Sequence, residues 1–421
     1  KTQSSHTSDN ISTVQKTANI NLFSTTMMHQ ISTRSKSALL QLQHKNFFFS
    51  AAPAQVRPRH HLDDVHHHSS VGIAAVEVYF PRTFVQQSEL EQHDGVSSGK
   101  YTKGLGQNRM AFLSTEREDT VSMCMTAVHN LLEKYGIDPK QISRLEVGSE
   151  TPIDKSKSIK SNLMPIFGTE HSDIEGIDNV HACYGGTSAL FNSLYWLEAH
   201  RSIHLRKNAK KNGENSSNKH DGQQEYAIVV CGDVSNYKDR NARPSGGAGA
   251  VAMLLSANGD APVNVNLGRK ASHYDHVYDF YKPDPTSPFP IVDGHFSNSC
   301  YLDSLDRCYQ RFLKKGDSHA EGDAAERETV NSFDHILFHA PYNKLVQKSL
   351  ARLVYNDARL AQKLPSYLDH VLQSGQVSES VLAQVEPLLH LHGQASFANK
   401  DIEKIFGLLS AELYKTKTEA S

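Results

Sequence analysis

Paired cysteines, long apolar runs and an excess of charge of either sign are all missing from this 421-residue chain, and each absence removes a class of protein. Its five cysteines, Cys124, Cys183, Cys231, Cys300 and Cys308, are scattered, odd in number and without a CxxC pair, which argues against a disulfide framework or a zinc site and for a reducing compartment. No apolar run approaches the roughly twenty residues that a bilayer-spanning helix needs. Lys and Arg number 44 against 46 Asp and Glu, so nothing favours nucleic acid or an anionic membrane as main partner, and any anion site is a local patch. No P-loop or GxGxxG follows a strand; the glycines of "RPSGGAGA" lead into one, which speaks against a nucleotide cofactor. What is present is the composition of a soluble globular protein, long enough for one large domain or two moderate ones.

Residues 1–69 differ from the rest, being rich in Ser, Thr, Gln, Asn and His, with Asp9 as the only acid before Asp63. Such a segment does not join a core. Within it, "MMHQISTRSKSALLQLQHKNFFFSAAPAQVRPRHH" is basic, Ser-containing and free of acids, as an organelle transit peptide is. Since the chain opens on Lys1, flanking sequence or a processed end is the other reading. The histidines of "HHLDDVHHH" read as a solvated polar tail or an opportunistic metal binder.

Order begins at "SVGIAAVEVYFP" (70–81), a β-rich apolar run closed by Pro81. "DTVSMCMTAVHNLLEKYGIDP" then spaces Val121, Met125, Val128 and Leu132 as one helix face before a Gly136–Pro139 stop. "RLEVGSE" (144–150) is a strand, "SIKSNLMPIF" a helix, "EGIDNVHAC" (175–183) a strand ending at cysteine, and "GGTSALFNSLYWLEA" a helix. A hydrophilic stretch, 206–224, reads as a surface insertion before the strands 226–233 and 249–256. Later, "FDHILFHAPY" (333–342) predicts a strand and "NKLVQKSLARLVYNDARLAQKL" a long helix, but nothing from 365 onward looks like a buried strand. Alternating strands and helices imply an α/β layered architecture around a mainly parallel sheet. The expected division is a tail (1–69), an N-terminal half (70–268) and a partial C-terminal half (269–421).

Three residues carry candidate chemistry. Cys183, in "HACYGGTSALFNSL", sits at a strand-to-helix junction, where the helix dipole and unpaired N–H groups favour thiolate. Gly185 and Gly186 would then leave room for a bulky thioester and aim backbone amides at an oxyanion. The alternative is a buried structural cysteine, the reading adopted for Cys124, Cys231, Cys300 and Cys308. Glu150 ends "RLEVGSE" at the carboxyl edge of the sheet, as a base or as a solvated loop acid. His339 ends "ILFH" just before Pro341, within reach of the same edge or as a satisfied structural histidine. On the following helix Lys344, Lys348 and Arg352 recur every fourth residue opposite Val346, Leu350, Leu353 and Val354. That basic stripe is either a solvated face or a phosphate holder.

Seven stretches in order, "GKYTKGLGQ" (99–107), "EVGSETPIDKSKS" (146–158), "DIEGIDNVHACYGGT" (173–187), "NARPSGGAGAVA" (241–252), "YDFYKPD" (278–284), "FPIVDG" (289–294) and "FHAPYNKLVQKSLAR" (338–352), closely resemble the hydroxymethylglutaryl-CoA synthase family of the thiolase superfamily. The resemblance runs from about Val71 to about Lys417. It implies a thiolase-like layered α/β fold of two related βαβ halves, the second incomplete. It also implies condensation of acetyl-CoA with acetoacetyl-CoA in the mevalonate pathway, with Cys183 acetylated, Glu150 as base and His339 orienting the second substrate. By the same carry-over Ser98, Lys100, Asn241, Ser245, Ser297, Lys344 and Lys348 contact substrate or CoA, with Ser245 departing from a frequent threonine. Tyr184, Asp233 and Asp279 support the site. No metal or cofactor is implied, the CoA thioesters being substrates. The partners implied are those thioesters and a second copy in a homodimer, without nucleic acid or membrane insertion. The compartment implied is the cytoplasm, or the mitochondrion with ketone-body synthesis if the tail is a transit peptide.

The family continues beyond the point matching Ser421 with a strand-rich segment carrying an Asn-Gly-Asn-Met-Tyr-type motif and a Ser-Tyr-Gly-Ser-Gly-type loop, so the expectation is an incomplete copy or a truncated product. Two rivals stand beside the synthase: a ketoacyl-synthase-type condensing enzyme, and a non-catalytic homologue that has lost its closing strands.

Overall fold

In the computed structural model of the chain, residues 18–19, 71–113, 116–211, 225–259, 261–317, 328–373, 378–397 and 399–419 are described. The tail expected at 1–69, with its histidines, therefore lies outside them apart from Ala18–Asn19, as does 212–224 of the expected insertion.

The first half is a sheet between two helices. The apolar run after residue 70 forms β1 (Gly72–Tyr79). A small hairpin of β2 (Phe84–Gln86) and β3 (Arg109–Ala111) brackets α1 (Gln87–His93). α2 (Thr120–Tyr135) starts where the Asp119 side chain accepts from the Ser122 N–H in a capping box, and stops at Gly136, whose φ of 62° is the left-handed cap. Its inward face centres on Met123, Cys124, Ala127, Val128 and Leu131, one position round from the stripe read in the sequence, so Val121 and Met125 are only partly covered.

Next come β4 (Ile142–Gly148), α3 (Ile159–Leu163), β5 (Asp178–Asn179), α4 (Gly185–Lys211), β6 (Tyr226–Ser235), β7 (Gly247–Ser256) and β8 (Val263–Asn264). The sheet order is β5-β4-β6-β7-β1-β8. Its β5-β4 and β4-β6 pairs are parallel, whereas β6-β7, β7-β1 and β1-β8 are antiparallel, so the sheet is mixed where a mainly parallel one was expected. Alternation in β6 divides the cores: Ile228 and Val230 pack with α2, while Ala227, Val229 and Cys231 pack with Ala189, Leu194 and Leu197 of α4.

Three other expectations need correcting. The strand at 175–183 is ladder-like only at Asp178–Asn179; upstream it follows the β4 edge through single bonds such as Leu145 N–H to Glu175 O (2.8 Å) and Val147 N–H to Ile177 O (3.1 Å). The first six residues of the presumed insertion continue α4 to Lys211, adding helical turns. The segment 333–342 has no strand, because nothing among the described residues forms a ladder with it.

The second half is mostly helical among the described residues. A hairpin of β9 (Phe280–Tyr281) and β10 (Ile291–Val292) leads into α5 (Gly294–Asp317). α6 (Asn343–Ala361) and α7 (Lys400–Glu419) share a core with it, in which Tyr355 meets Phe406 edge-on at 5.1 Å. Arg352 leaves the basic stripe expected of α6: it is buried, and its Nε donates to both Asp306 oxygens at 2.9 and 3.0 Å. Its Nη2 donates to Ser396 Oγ at 2.7 Å. A guanidinium on this face is drawn inward because a buried carboxylate on α5 is there to receive it. No helix among the described residues is long and apolar enough to cross a membrane.

Removing one member of a buried ion pair strands the other, so Asp306→Ala is expected to cost about 3–5 kcal/mol in urea denaturation. Arg307→Ala, which breaks an exposed pair with Asp303, is expected to cost less than about 1 kcal/mol in the same assay.

Candidate active site

The parallel strands β5, β4 and β6 point their carboxyl ends to one edge, and Cys183, Glu150 and Asp233 lie at those three ends. Cys183 Sγ lies 3.9 Å from Glu150 Oε2, a contact across which the thiol donates. The nucleophile candidate sits on a tight turn. Ala182 before it has φ +36°, a left-handed conformation costly for a residue with a Cβ, and Tyr184 N–H closes the turn on His181 O at 2.8 Å. α4 begins two residues later.

Gly185 and Gly186 serve a different purpose from the one read in the sequence. A Cβ on Gly185 would stand 2.5 Å from Asn179 O, and one on Gly186 2.6 Å from Cys231 Sγ. The space they vacate is filled by the sheet, and they let α4 dock against it.

Asp233 pins the loop that carries Glu150. Its Oδ1 accepts from Ser149 Oγ (3.0 Å), Glu150 N–H (2.8 Å) and Thr151 Oγ1 (2.7 Å). Burial raises both carboxyls, and Asp233 raises Glu150 further, to about 7. The three donors on Asp233 favour its ionised form, so the proton held by this pair resides on Glu150. The surroundings of Cys183 work against the expected thiolate: desolvation by the neighbouring protein first, then Glu150 and Asp233, push the thiol well above its ordinary range, although the residue as a whole stays exposed. The site thus sets a protonated thiol beside a carboxyl raised toward neutrality.

A small open cleft lies against Glu150, walled by Tyr237, Phe280, Lys282, Pro288 and Pro290. The Tyr237 phenol is raised by burial first and then by its acidic neighbours, Glu150 foremost. Tyr237 escaped the sequence reading although it follows β6 at the same carboxyl edge. Lys282 stood in a quoted motif without a role. Of the supporting residues, Tyr184 packs edge-on to His181 with ring centroids 5.5 Å apart, and the carboxyl of buried Asp279 is hydrogen-bonded by the Ser297 side chain at the start of α5. His339 does not share in the Sγ–Oε2 contact. Its carbonyl accepts from Tyr301 OH at 2.8 Å, and its ring stacks on Tyr301 at 6.1 Å.

Apart from Ser297 on α5, the residues assigned to substrate or CoA by resemblance lie on two loops and one helix, organised by a short helix that the sequence reading passed over. Glu91 of α1 is buried, and its carboxylate accepts from the N–H groups of Gly99 (2.8 Å), Tyr101 (2.7 Å) and Thr102 (2.8 Å). Those bonds, led by Thr102 and Gly99, hold its carboxyl at about 2 and shape the turn that exposes Ser98 and Lys100. The same turn meets α6, with Lys344 N–H donating to Leu105 O at 3.0 Å. Asp94, following α1, receives Tyr101 OH (3.0 Å) and Arg243 (3.2 Å), and Gln87 and Gln107 both donate to Pro244 O at 2.7 Å. This docks the loop of Asn241 and Ser245, whose Oγ donates to Ala242 O. Lys344 is exposed and bonded to Gln347, while Lys348 pairs with Glu403 at 2.9 Å.

Glu150 has a folded value of about 7 against an ordinary 4.5, so the stability that its neutral form contributes is complete below 4.5 and is lost as pH rises through 7. Glu150→Gln is therefore expected to raise the thermal midpoint over the wild type more at pH 8 than at pH 5. Glu91→Ala is expected to free the 97–105 turn, seen as faster tryptic cleavage after Lys100 and Lys103.

Known proteins resemble this chain over most of its length. Residues 67–262 match the sequence model of the hydroxymethylglutaryl-coenzyme A synthase N terminal domain, and 263–421 that of its C terminal domain. The chain is 44% identical over 353 residues to the cytoplasmic hydroxymethylglutaryl-CoA synthase of Gallus gallus, covering 83% of this chain and 61% of that one. It is also 44% identical over 362 residues to a hydroxymethylglutaryl-CoA synthase of Zymoseptoria tritici, covering 84% and 71%. It thus spans about three fifths of the length of its vertebrate relatives. A solved structure of MvaS in complex with 3-hydroxy-3-methylglutaryl coenzyme A superposes with a TM-score of 0.57 at 27% identity, covering 82% of this chain and 76% of that one. An HMG-CoA synthase complexed with CoA, 19% identical over 77% and 75% of the two chains with a TM-score of 0.55, shares the thiolase-like α/β fold. On the family models and the fungal match together, the chain belongs to the hydroxymethylglutaryl-CoA synthase family.

Proposed function

We propose that this chain carries out the hydroxymethylglutaryl-CoA synthase reaction, and the observation that carries the reading is the Sγ–Oε2 contact between Cys183 and a Glu150 held near neutrality. The Cys183 thiol gives its proton to Glu150 as sulfur attacks the carbonyl of acetyl-CoA. The departing CoA thiolate takes that proton back, leaving an acetyl thioester on Cys183 and Glu150 ionised. Splitting the condensation this way replaces one hard step by two easier ones. Glu150 next removes a proton from the acetyl methyl group, and the carbanion attacks the C3 ketone of acetoacetyl-CoA. His339 orients that ketone and neutralises the alkoxide. Water then hydrolyses the thioester and frees hydroxymethylglutaryl-CoA. The sequence is redox-neutral, so no redox cofactor enters it. A general base works best with a value near the working pH, which suits Glu150.

Ser98, Lys100, Lys344 and Lys348 hold the CoA phosphates and pantetheine, and Asn241, Ser245 and Ser297 the acyl portions. What supports this is the gathering of the first group around the 97–105 turn and the CoA ligands of the two solved relatives. Asp233 fixes the base, while Tyr184 and Asp279 line the site. The two halves divide near residue 268, close to where the family models meet. A homodimer is favoured by the β5 edge, beside which Ile177 and Val180 are more than half exposed. A cytoplasmic place in isoprenoid synthesis is suggested by relatives named as cytoplasmic.

Incubation with acetyl-CoA is expected to add an acetyl mass to the peptide containing Cys183. Cys183→Ala is expected to abolish both adduct and product, and Glu150→Ala to lose condensation while retaining slow acetylation. A wild-type peptide that stays unmodified would overturn the mechanism.

A further inference from the structure

Lys282 follows β9 at the mouth of the cleft, and its Nζ donates to the main-chain carbonyl of Glu150 at 3.1 Å. The bond spans 132 positions of sequence and ties the second half of the chain to the loop bearing the base. A second lysine repeats the connection nearby: Lys155 Nζ donates to Pro285 O at 2.8 Å. Pro283 between these anchors, Pro285 at the second, and Pro288 and Pro290 just beyond it stiffen the segment. The groups facing the Glu150 carboxyl are Cys183 from the turn before α4, Asp233 from β6, Tyr237 beyond β6, and Lys282. Asp233 is anionic, Cys183 and Tyr237 are neutral and acidic, and Lys282 alone among these four is cationic.

We propose that Lys282 is a positioning residue for the base: its ammonium fastens the Glu150 loop from outside the sheet and supplies the positive charge that offsets Asp233. The proposal rests on the reading of Glu150 as the base of the condensation. The same charge lowers both Glu150 and Asp233, against the burial that raises them. With Lys282 neutralised, Glu150 would hold its proton at a pH where it must accept one. The ammonium is exposed, so its field is weakened by salt and its effect is largest at low ionic strength. A main-chain carbonyl anchor also explains why the amine stays close to the carboxylate without forming an ion pair that would block it.

The test is the titration of the Glu150 carboxyl followed by carbon NMR in protein labelled with carboxyl-¹³C glutamate, the signal being identified by its loss in Glu150→Gln. Lys282→Met is expected to move its midpoint up by roughly half a pH unit or more at low salt, and Lys282→Arg to leave it near the wild type. The acidic limb of the condensation rate should shift upward in Lys282→Met by the same amount, while acetyl transfer to Cys183 persists. An unchanged Glu150 midpoint in Lys282→Met would overturn the proposal. Because the titration needs no turnover, a shifted midpoint in a chain without condensation would uphold the role of Lys282 and count against the synthase reading alone.

Discussion

The site depends on parallel pairing among three strands. β4 lies between β5 and β6, and parallel strands carry their carboxyl ends to a common edge, so the residues that follow them converge there whatever their separation in sequence. Glu150 and Cys183 are 33 positions apart, and Glu150 and Asp233 83, yet all three meet at this edge. An antiparallel β4 would send its terminal carboxylate to the opposite end. The approach of α4 to the sheet, made possible by Gly185 and Gly186, then fixes the height of the turn on which Cys183 stands.

Crowding charge at that edge has chemical consequences. Two carboxyls and a thiol stand within a few ångströms of one another at the sheet edge, where each negative charge makes the next more costly. The ensemble resolves this by keeping Cys183 protonated, placing three hydrogen-bond donors on Asp233, and leaving Glu150 near neutrality. A helix terminus alone would make a reactive thiolate. In the proposed reaction, a thiol beside a carboxylate that titrates near neutrality gives up its proton when an acyl donor arrives, and the same base then serves the methyl group.

The loops around this centre are held by residues with no part in the chemistry. Glu91 and Asp94 turn their carboxylates inward from one short helix and gather the 97–105 turn and the loop of Asn241 and Ser245. Both acids sit in a hydrophilic stretch, "SELEQHDG", that drew no assignment from the sequence. Their burial follows from unpaired backbone N–H groups that a tight turn generates and that a carboxylate satisfies.

Local pattern determined a good part of this protein. Apolar β-rich runs identified β1, β4, β6 and β7, helical spacing with a glycine stop located α2, and the strand-to-helix junction singled out Cys183. Placing Glu150 at a carboxyl edge was also legible, since strand direction follows from the alternation of strand and helix. Arg352, by contrast, reads as one step of a solvated basic stripe until Asp306, 46 residues away, takes it into the core. "ILFH" has the composition of a strand but gains no partner among the described residues, and ladders form between segments, not within them. Protonation at the site was likewise beyond the sequence, because desolvation and Coulomb energy depend on which groups stand within a few ångströms. That distance is set by tertiary packing alone.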